Sequence, residues 1–150
     1  MLPGRLTRAI VRSLDWLADR TVGLEETPLH QRIGRRGEED AFFHLRGLGY
    51  TMVAQNFRTP LRPGEIDLIG WDGDVLCFIE VKTRTTKEVK TPQAAVDYHK
   101  RREVAAVARE YLRHIPPTCQ WRFDVVSVYY DQSRACSPQI EVFRNAYLTA

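Results

Sequence analysis

The chain has few cysteines and no long apolar run. Its three cysteines are an odd number among 150 residues, include no Cys-x-x-Cys pair, and have no histidine at zinc-finger spacing. These absences argue against a disulfide framework and a structural zinc site, and they favour a reducing cytoplasm. Charged residues interrupt each apolar stretch near the amino terminus, which argues against a signal-peptide core or a membrane span there.

Familiar catalytic motifs are missing as well. The four histidines show no spacing that suggests a zinc site or a nucleophile with its base, and the segment from Gly34 to Gly37 lacks the Lys-Ser/Thr ending of a P-loop. Hydrophobic residues make up 43% of the chain and charged residues 27%, which predicts one globular domain with a core. The net charge of +3 permits an acidic partner such as nucleic acid without requiring one.

Residues 1–30 are predicted to form an amphipathic helix and a linker. Apolar residues recur there at helical spacing, and the outer face of the helix carries both acidic and basic side chains. Packing on the domain or on a partner subunit is favoured over binding to a membrane surface, because the polar face includes acids. Residues 23–30 form the predicted linker.

The first helix of the remaining segment, residues 31–150, is predicted from Gly34 to Gly49. Its core-facing stripe leaves Glu39 and Asp40 to face water. Glu38 lies four residues before the apolar Phe42 and therefore projects from the core-facing side. Two interpretations of Glu38 stay open: a third acid of a functional site, or a charge that complements the helix N-terminus.

The order of predicted elements is helix, three strands, helix, two strands, which indicates an α/β fold. The second helix is predicted to begin at Thr91 and Pro92, an N-cap and first-turn pair, and to end before Pro116. Pro60 and Pro63 are assigned to the loop between the first two strands. The predicted strands are residues 50–57, the runs on either side of Asp72-Gly73-Asp74, residues 121–130 and residues 139–147.

Four charges interrupt two otherwise apolar strands in the stretch GEIDLIGWDGDVLCFIEVKTR, residues 64–84. The Asp-Gly-Asp between them predicts a tight hairpin turn. Because side chains alternate along a strand, any even-numbered loop places Glu65, Asp67, Glu80 and Lys82 on one face. The opposite face is predicted to be apolar throughout, with Ile66, Leu68, Val75, Cys77, Ile79 and Val81.

Two registers of this hairpin are compatible with the sequence. With Asp72-Gly73 as the loop, Glu65 lies opposite Glu80; with Gly73-Asp74, Asp67 lies opposite Glu80. In either register the carboxylates crowd together at the edge of a core, which costs free energy through repulsion and lost hydration. Lys82 can neutralise one acid, whereas a hard divalent cation between Asp67 and Glu80 would use both.

The segments GRRGEEDAFFHLRGLGY, GEIDLI and FIEVKTR resemble those of the YraN-like family, which is associated with endonuclease function. The fold of that family resembles the PD-(D/E)XK nucleases and, among these, the archaeal Holliday-junction resolvases. The resemblance implies a restriction-endonuclease-like core, a mixed central sheet flanked by helices. It also implies that Asp67 and Glu80 are metal carboxylates, Lys82 the motif lysine, Glu38 the first-helix glutamate, and the Val81 carbonyl a further metal ligand.

The function implied by this resemblance is Mg²⁺- or Mn²⁺-dependent hydrolysis of DNA phosphodiester bonds, in branched or damaged DNA. Lys100 is then expected to contact phosphate, with Gln93 beside it on the second helix, while Arg35 and Arg84 suit contacts to the nucleic acid backbone. Resolvase-like folds often pair as homodimers. The alternative is a non-catalytic nucleic-acid or protein-interaction module that keeps the nuclease fold.

Overall fold

The computed structural model describes residues 28–85, 98–131 and 137–146. Within these ranges it confirms a mixed α/β architecture with the predicted order of elements. The predicted amino-terminal helix and the Thr91-Pro92 start of the second helix lie outside the described residues. The described elements are α1 (Leu29–Gly47), β1 (Thr51–Thr59), β2 (Arg62–Asp72), β3 (Val75–Arg84), α2 (Tyr98–Leu112), β4 (Gln120–Tyr129) and β5 (Gln139–Phe143).

The strands form one five-stranded sheet in the order β1-β2-β3-β4-β5. Strands β3 and β4 are parallel, and every other neighbouring pair is antiparallel. A parallel pair needs a long crossover connection, and here that connection contains α2. Neither α1 nor α2 combines the length and the apolar character that a membrane-crossing helix requires.

A separate hydrophobic cluster covers each face of the sheet. On one face, Val104 and Val107 of α2 pack with Phe78 and Phe123 from the two parallel strands. On the other face, Leu45 of α1 packs with residues of β2, β3 and β4, including Leu68, Ile79 and Val126. Because both faces are covered, β3 is buried along most of its length, as its continuous apolar run Val75–Ile79 requires.

The β2–β3 hairpin adopts the second of the two predicted registers. Asp72 pairs with Val75 around a Gly73-Asp74 turn, in which Gly73 has a φ of 59°. This left-handed conformation is one that glycine adopts without steric cost. This register places Asp67 opposite Glu80, as predicted for a Gly73-Asp74 turn.

One prediction for this hairpin was wrong. Ile66 was expected to share a face with Leu68, but it packs with Ile69 and Phe78 in the cluster beneath α2. The pairing of β1 with β2 shifts register between Phe57 and Thr59, beside Ile66. Pairing of β2 with β3 stops at Leu68, so Ile66 lies beyond the paired part of the hairpin on which the prediction depended.

Helix α1 is longer at its start than predicted. It begins at Leu29, inside the predicted linker, and ends at Gly47 as part of a Schellman motif. The Tyr50 N–H donates to the Leu45 carbonyl and the Gly49 N–H to the Arg46 carbonyl, while Gly49 has a φ of 97°. The left-handed glycine lets these N–H groups bond to the last carbonyls of the helix, and the helix ends there. This confirms the predicted C-terminus of the helix.

The expected exposure of Asp40 was also wrong. Asp40 is fully buried, and its Oδ2 accepts a hydrogen bond of 2.5 Å from the Tyr130 hydroxyl. Neighbouring Glu39 is half-buried. The helix turns Gly37, Asp40 and Ala41 together toward the sheet, so the carboxylate depends on a hydroxyl from the end of β4.

The strand boundaries differ at two further places. Pro63 lies inside β2 instead of in a loop, because the β1–β2 connection is a tight turn at Pro60-Leu61. Proline is tolerated there since Pro63 lies near the start of the strand, and pairing of β2 with β3 begins only at Leu68. Strand β5 ends at Phe143 and is shorter than predicted.

Candidate active site

Two buried carboxylates lie where strands β2 and β3 separate. Backbone pairing of these strands extends to Leu68 and Ile79, and the next opposed residues are Asp67 and Glu80, which are 5% and 2% exposed. Beyond that point the Val81 N–H donates to Asp67 Oδ2 at 2.8 Å. The Asp67 side chain thus accepts the hydrogen bond that a backbone carbonyl would otherwise accept, and the fork between the strands stays open.

Glu80 is compensated by two ammonium groups. Its Oε1 accepts from Lys82 Nζ at 2.8 Å and also from Lys100 Nζ, which reaches across from α2. Burial acts to lower the pKa of Lys100, but the hydrogen bond to Glu80 and the charge of that carboxylate raise it overall. The sequence placed Lys100 near the site, and the structure brings it into direct contact with Glu80.

Asp67 lacks compensation of this kind. Its hydrogen-bond donor among the described residues is the neutral Val81 N–H. Burial, followed by the charge of Glu80, raises the pKa of Asp67 to about 7. The two acids therefore differ: Glu80 is held by lysines, whereas Asp67 needs a proton or a cation.

Glu38 lies close enough to this pair to interact with it. Burial raises the pKa of Glu38, as do the charges of Glu65 and Glu80, while a hydrogen bond from the Asn56 side chain lowers it. Asn56 has a φ of 47°. Sequence reasoning missed this residue, and its only sequence signal is that asparagine tolerates the left-handed region better than most residues.

The donors at this site suit a hard cation. In the described part of the chain, no three His, Cys, Asp or Glu side chains are grouped so as to hold a metal ion. Mg²⁺ needs only one or two carboxylates, because waters and phosphate oxygens complete its coordination. Asp67 and Glu80 fit that requirement, while the ligand roles of Glu38 and the Val81 carbonyl stay predictions.

Three other nucleic-acid contacts were predicted: Arg35, Arg84 and Gln93. Arg35 is exposed on α1, and Arg84 stands at the end of β3, where its carbonyl accepts the Tyr130 N–H at 2.9 Å. Gln93 lies outside the described residues. Cys77 is not a candidate nucleophile, because burial and the charge of Asp124 raise its pKa to about 12.

Gly37 fixes the position of Glu38 by letting α1 approach β3. A Cβ at residue 37 would lie 1.9 Å from Thr83 Oγ1 and 2.9 Å from Thr83 Cβ. A Gly37→Ala variant should therefore push the helix away from the strand and lower the free energy of unfolding by about 1–3 kcal/mol. Urea unfolding measures this change.

Gly34→Ala in the same helix is the matched control for that prediction. Nothing lies within 4 Å of a Cβ at residue 34. Because alanine has a higher helix propensity than glycine, this variant should raise the free energy of unfolding by about 0.5–1 kcal/mol. Equal effects of the two substitutions would contradict the close approach at Gly37.

Comparison with known proteins places the chain in a family. The model of the uncharacterised protein family UPF0102 matches residues 37–128, which include both carboxylates and both lysines of the site. The chain belongs to the UPF0102 family. This confirms the YraN-like resemblance at the level of the family.

Relatives in the UPF0102 family match the chain over most of its length. A UPF0102 protein of Koribacter versatilis is 48% identical over 142 residues, covering 95% of this chain and 94% of the relative. One of Solibacter usitatus is 44% identical over 117 residues, 76% of this chain and 84% of the relative. One of Symbiobacterium thermophilum is 46% identical over 103 residues, 67% of this chain and 84% of the relative.

Proposed function

We propose that this protein is a metal-dependent endonuclease that hydrolyses DNA phosphodiester bonds on a PD-(D/E)XK-type core. The observation that carries the proposal is the pair of buried carboxylates, Asp67 and Glu80, at an open fork between strands with two lysines beside it. Burying two acids is costly unless positive charges and hydrogen bonds compensate them, and a bound cation would compensate both. The order of elements and the GEIDLI and FIEVKTR motifs support the same assignment.

Each residue of the site has a role that its position supports. Asp67 and Glu80 would hold Mg²⁺ or Mn²⁺, which when bound polarises a phosphate and lowers the pKa of a water. Lys82 presents a point charge beside the carboxylates, where it would stabilise negative charge building on a phosphoryl oxygen. The Lys100 side chain is 42% exposed, so its ammonium can also reach a phosphate of the DNA.

One observation favours the alternative of a non-catalytic module. Glu80 already has two lysine partners, so this acid is stable in the fold without a metal ion. A protein that only binds nucleic acid would keep those lysines for phosphate contacts. Asp67 argues against this alternative, because its carboxylate has no cation paired with it in the described structure.

Cleavage of labelled DNA tests the proposal. Single-stranded, duplex, flap and four-way-junction DNA are incubated with Mg²⁺, Mn²⁺ or EDTA, using the wild type, Glu80→Gln, and the control Glu141→Gln on exposed β5. We expect cleavage with either metal and none in EDTA. Glu80→Gln should lower the cleavage rate at least about 100-fold, since loss of even a residue that only hydrogen-bonds a metal ligand lowers metal affinity or activity about 10–100-fold.

The outcomes of this experiment separate the two functions. Cleavage that persists in EDTA or survives in Glu80→Gln would overturn the assignment of the activity to this site. Absence of cleavage on every substrate, combined with DNA binding that Glu80→Gln leaves unchanged, would establish the non-catalytic module. Loss of activity in Glu141→Gln would show that the effect of Glu80→Gln is not specific.

A further inference from the structure

A groove of about 670 Å³ adjoins the candidate active site. Its walls are the β1–β2 hairpin, from Arg58 to Glu65, and the first turns of α2, from His99 to Val104. Lys100 lines this groove and also contacts Glu80. A ligand that lies in the groove is therefore next to the carboxylate pair.

The cations of the groove are not equivalent. Arg58 is paired with Glu65, since its Nε and Nη2 lie 2.7 and 2.5 Å from Glu65 Oε2. Lys100 is paired with Glu80. Arg62 is exposed, and within the described part of the chain it has no carboxylate partner. Arg62 is thus the guanidinium of this groove that is free to bind an incoming anion.

The shape of the groove is fixed by a close contact between its two walls. Gly64 has a φ of 101°, and a Cβ built on it would lie 3.0 Å from Glu103 Cβ. Only a glycine allows the hairpin backbone to approach α2 this closely in that conformation. Because the start of β2 is held against the helix, the groove exists before any ligand arrives.

We propose that this groove binds the sugar–phosphate backbone of a single nucleic acid strand, with Arg62 contacting a phosphate adjacent to the one that is cleaved. This inference rests on the proposed function, because the carboxylate pair defines the cleaved phosphate. The groove has a volume typical of sites that take one small ligand, about 300–1,000 Å³, which is room for one or two nucleotides of a single strand. Preferred substrates therefore carry a single-stranded segment beside the cleavage point.

Fluorescence anisotropy in EDTA tests this groove without cleavage. The probes are a labelled single strand, the blunt duplex of the same sequence, and that duplex with a single-stranded arm, each titrated at several salt concentrations. The proteins are the wild type, Arg62→Gln, Arg62→Lys and the control Arg109→Gln, which removes an exposed arginine of α2 outside the groove.

Arg62→Gln should raise the Kd for the single strand and the armed duplex by about 3- to 10-fold. Its plot of log Kd against log salt should be less steep by about 0.7, the loss of one phosphate contact to a single strand. Arg62→Lys keeps the charge and should restore the slope. Arg109→Gln should match the wild type, and blunt duplex binding should not depend on Arg62.

Three results would contradict the proposed role of the groove. These are wild-type affinity in Arg62→Gln, an equal loss of affinity in Arg109→Gln, or an equal loss of affinity for the blunt duplex. Failure of the wild type to bind any of these DNAs would overturn it as well. The cleavage assay separates this inference from the nuclease proposal. If DNA is cleaved but binding does not depend on Arg62, only the proposed groove is contradicted. If binding depends on Arg62 but no DNA is cleaved, only the proposed nuclease activity is contradicted.

Discussion

Asp67→Asn is expected to abolish cleavage and at the same time stabilise the folded protein at pH 8. The first effect follows because the substitution removes one of the two carboxylates that would hold the metal ion, and it should cost at least about 100-fold in rate. The second follows because Asp67 is a buried acid beside Glu80 whose pKa is raised to about 7. Function and stability should therefore move in opposite directions at this residue.

The pH dependence of this gain has a definite sign. In the unfolded chain the Asp67 carboxyl ionises near its ordinary pKa of 3.8, whereas in the folded protein it keeps its proton up to about pH 7. Between these values the folded state binds the extra proton, so stability falls as the pH rises. Asparagine does not titrate and therefore avoids this loss of stability. The free energy of unfolding of the variant should exceed that of the wild type most at pH 8 and least near pH 4.

Thermal unfolding at several pH values measures this gain. At about 1.4 kcal/mol per pKa unit the advantage of Asp67→Asn at pH 8 is about 2 kcal/mol or more, which raises the melting temperature by about 4–8 °C. Asp74→Asn, in the exposed β2–β3 turn, is the control and should change little. Added Mg²⁺ should narrow the difference, because an ion held by both carboxylates would stabilise the wild type. A variant less stable than the wild type at pH 8 would contradict the raised pKa.

The unequal surroundings of the two acids explain why the fold tolerates them. Lys82 and Lys100 both contact Glu80, so the charge of that carboxylate is stabilised within the protein itself. Asp67 has a backbone N–H in their place. A buried acid whose pKa is strongly raised, as that of Asp67 is, is typical of sites that do chemistry. Asp67 is thus the acid through which a bound cation would contribute most to stability.

The geometry of the carboxylate pair could be predicted because it depends on local patterns. Alternation along a strand and an Asp-Gly-Asp turn are enough to place Asp67 and Glu80 on one face. The choice between two registers was not predictable, since Asp72-Gly73 and Gly73-Asp74 are both acceptable turn sequences. The structure selects the register that brings Asp67 opposite Glu80.

Features that depend on distant residues were not predictable from local patterns. Asp40 looked solvent-facing because its hydrogen-bond donor Tyr130 is 90 residues away in the chain. Asn56 gave no sign that it would donate to Glu38 from the neighbouring strand. Ile66 fits the alternation of its strand in sequence, but its side chain packs in the cluster beneath α2 and not in the cluster that contains Leu68.

The buried Asp124 is expected to have the largest effect on stability. It is fully buried on β4, and its Oδ1 accepts from Arg122 Nε at 2.8 Å and from the Asn145 N–H at 2.9 Å. The same arginine donates through Nη2 to Asp72 at 2.6 Å and to the Tyr50 hydroxyl at 3.1 Å. Local sequence patterns do not predict this network, because its members lie far apart in the chain.

This network connects four parts of the fold. Asp72 ends β2, Tyr50 follows α1, Asn145 follows β5, and Arg122 and Asp124 belong to β4. The hydrogen bond from Arg122 holds the pKa of Asp72 below its ordinary value, and the neighbouring positive charges act in the same direction. Removing Asp124 leaves Arg122, whose side chain is 17% exposed, without its most buried partner.

Asp124→Ala should therefore lower the free energy of unfolding by about 3–5 kcal/mol, the cost of breaking a buried ion pair from one side. A domain of this size is stable by only about 5–15 kcal/mol, so urea unfolding should show a large shift of the midpoint. Asp124→Asn keeps an acceptor for the Asn145 N–H and should lower the free energy of unfolding by less than Asp124→Ala does.

The pair of Arg113 and Glu110 supplies the comparison for Asp124. Arg113 Nη1 lies 3.1 Å from Glu110 Oε1, and the Arg113 side chain is 68% exposed whereas that of Glu110 is 13% exposed. Because solvent screens the charge of Arg113, Arg113→Ala should cost less than about 1 kcal/mol. If Asp124→Ala cost no more than Arg113→Ala, the Arg122 network would contribute little to holding these strands together. A much larger cost for Asp124→Ala would show that burial, and not the ion pair alone, sets its contribution.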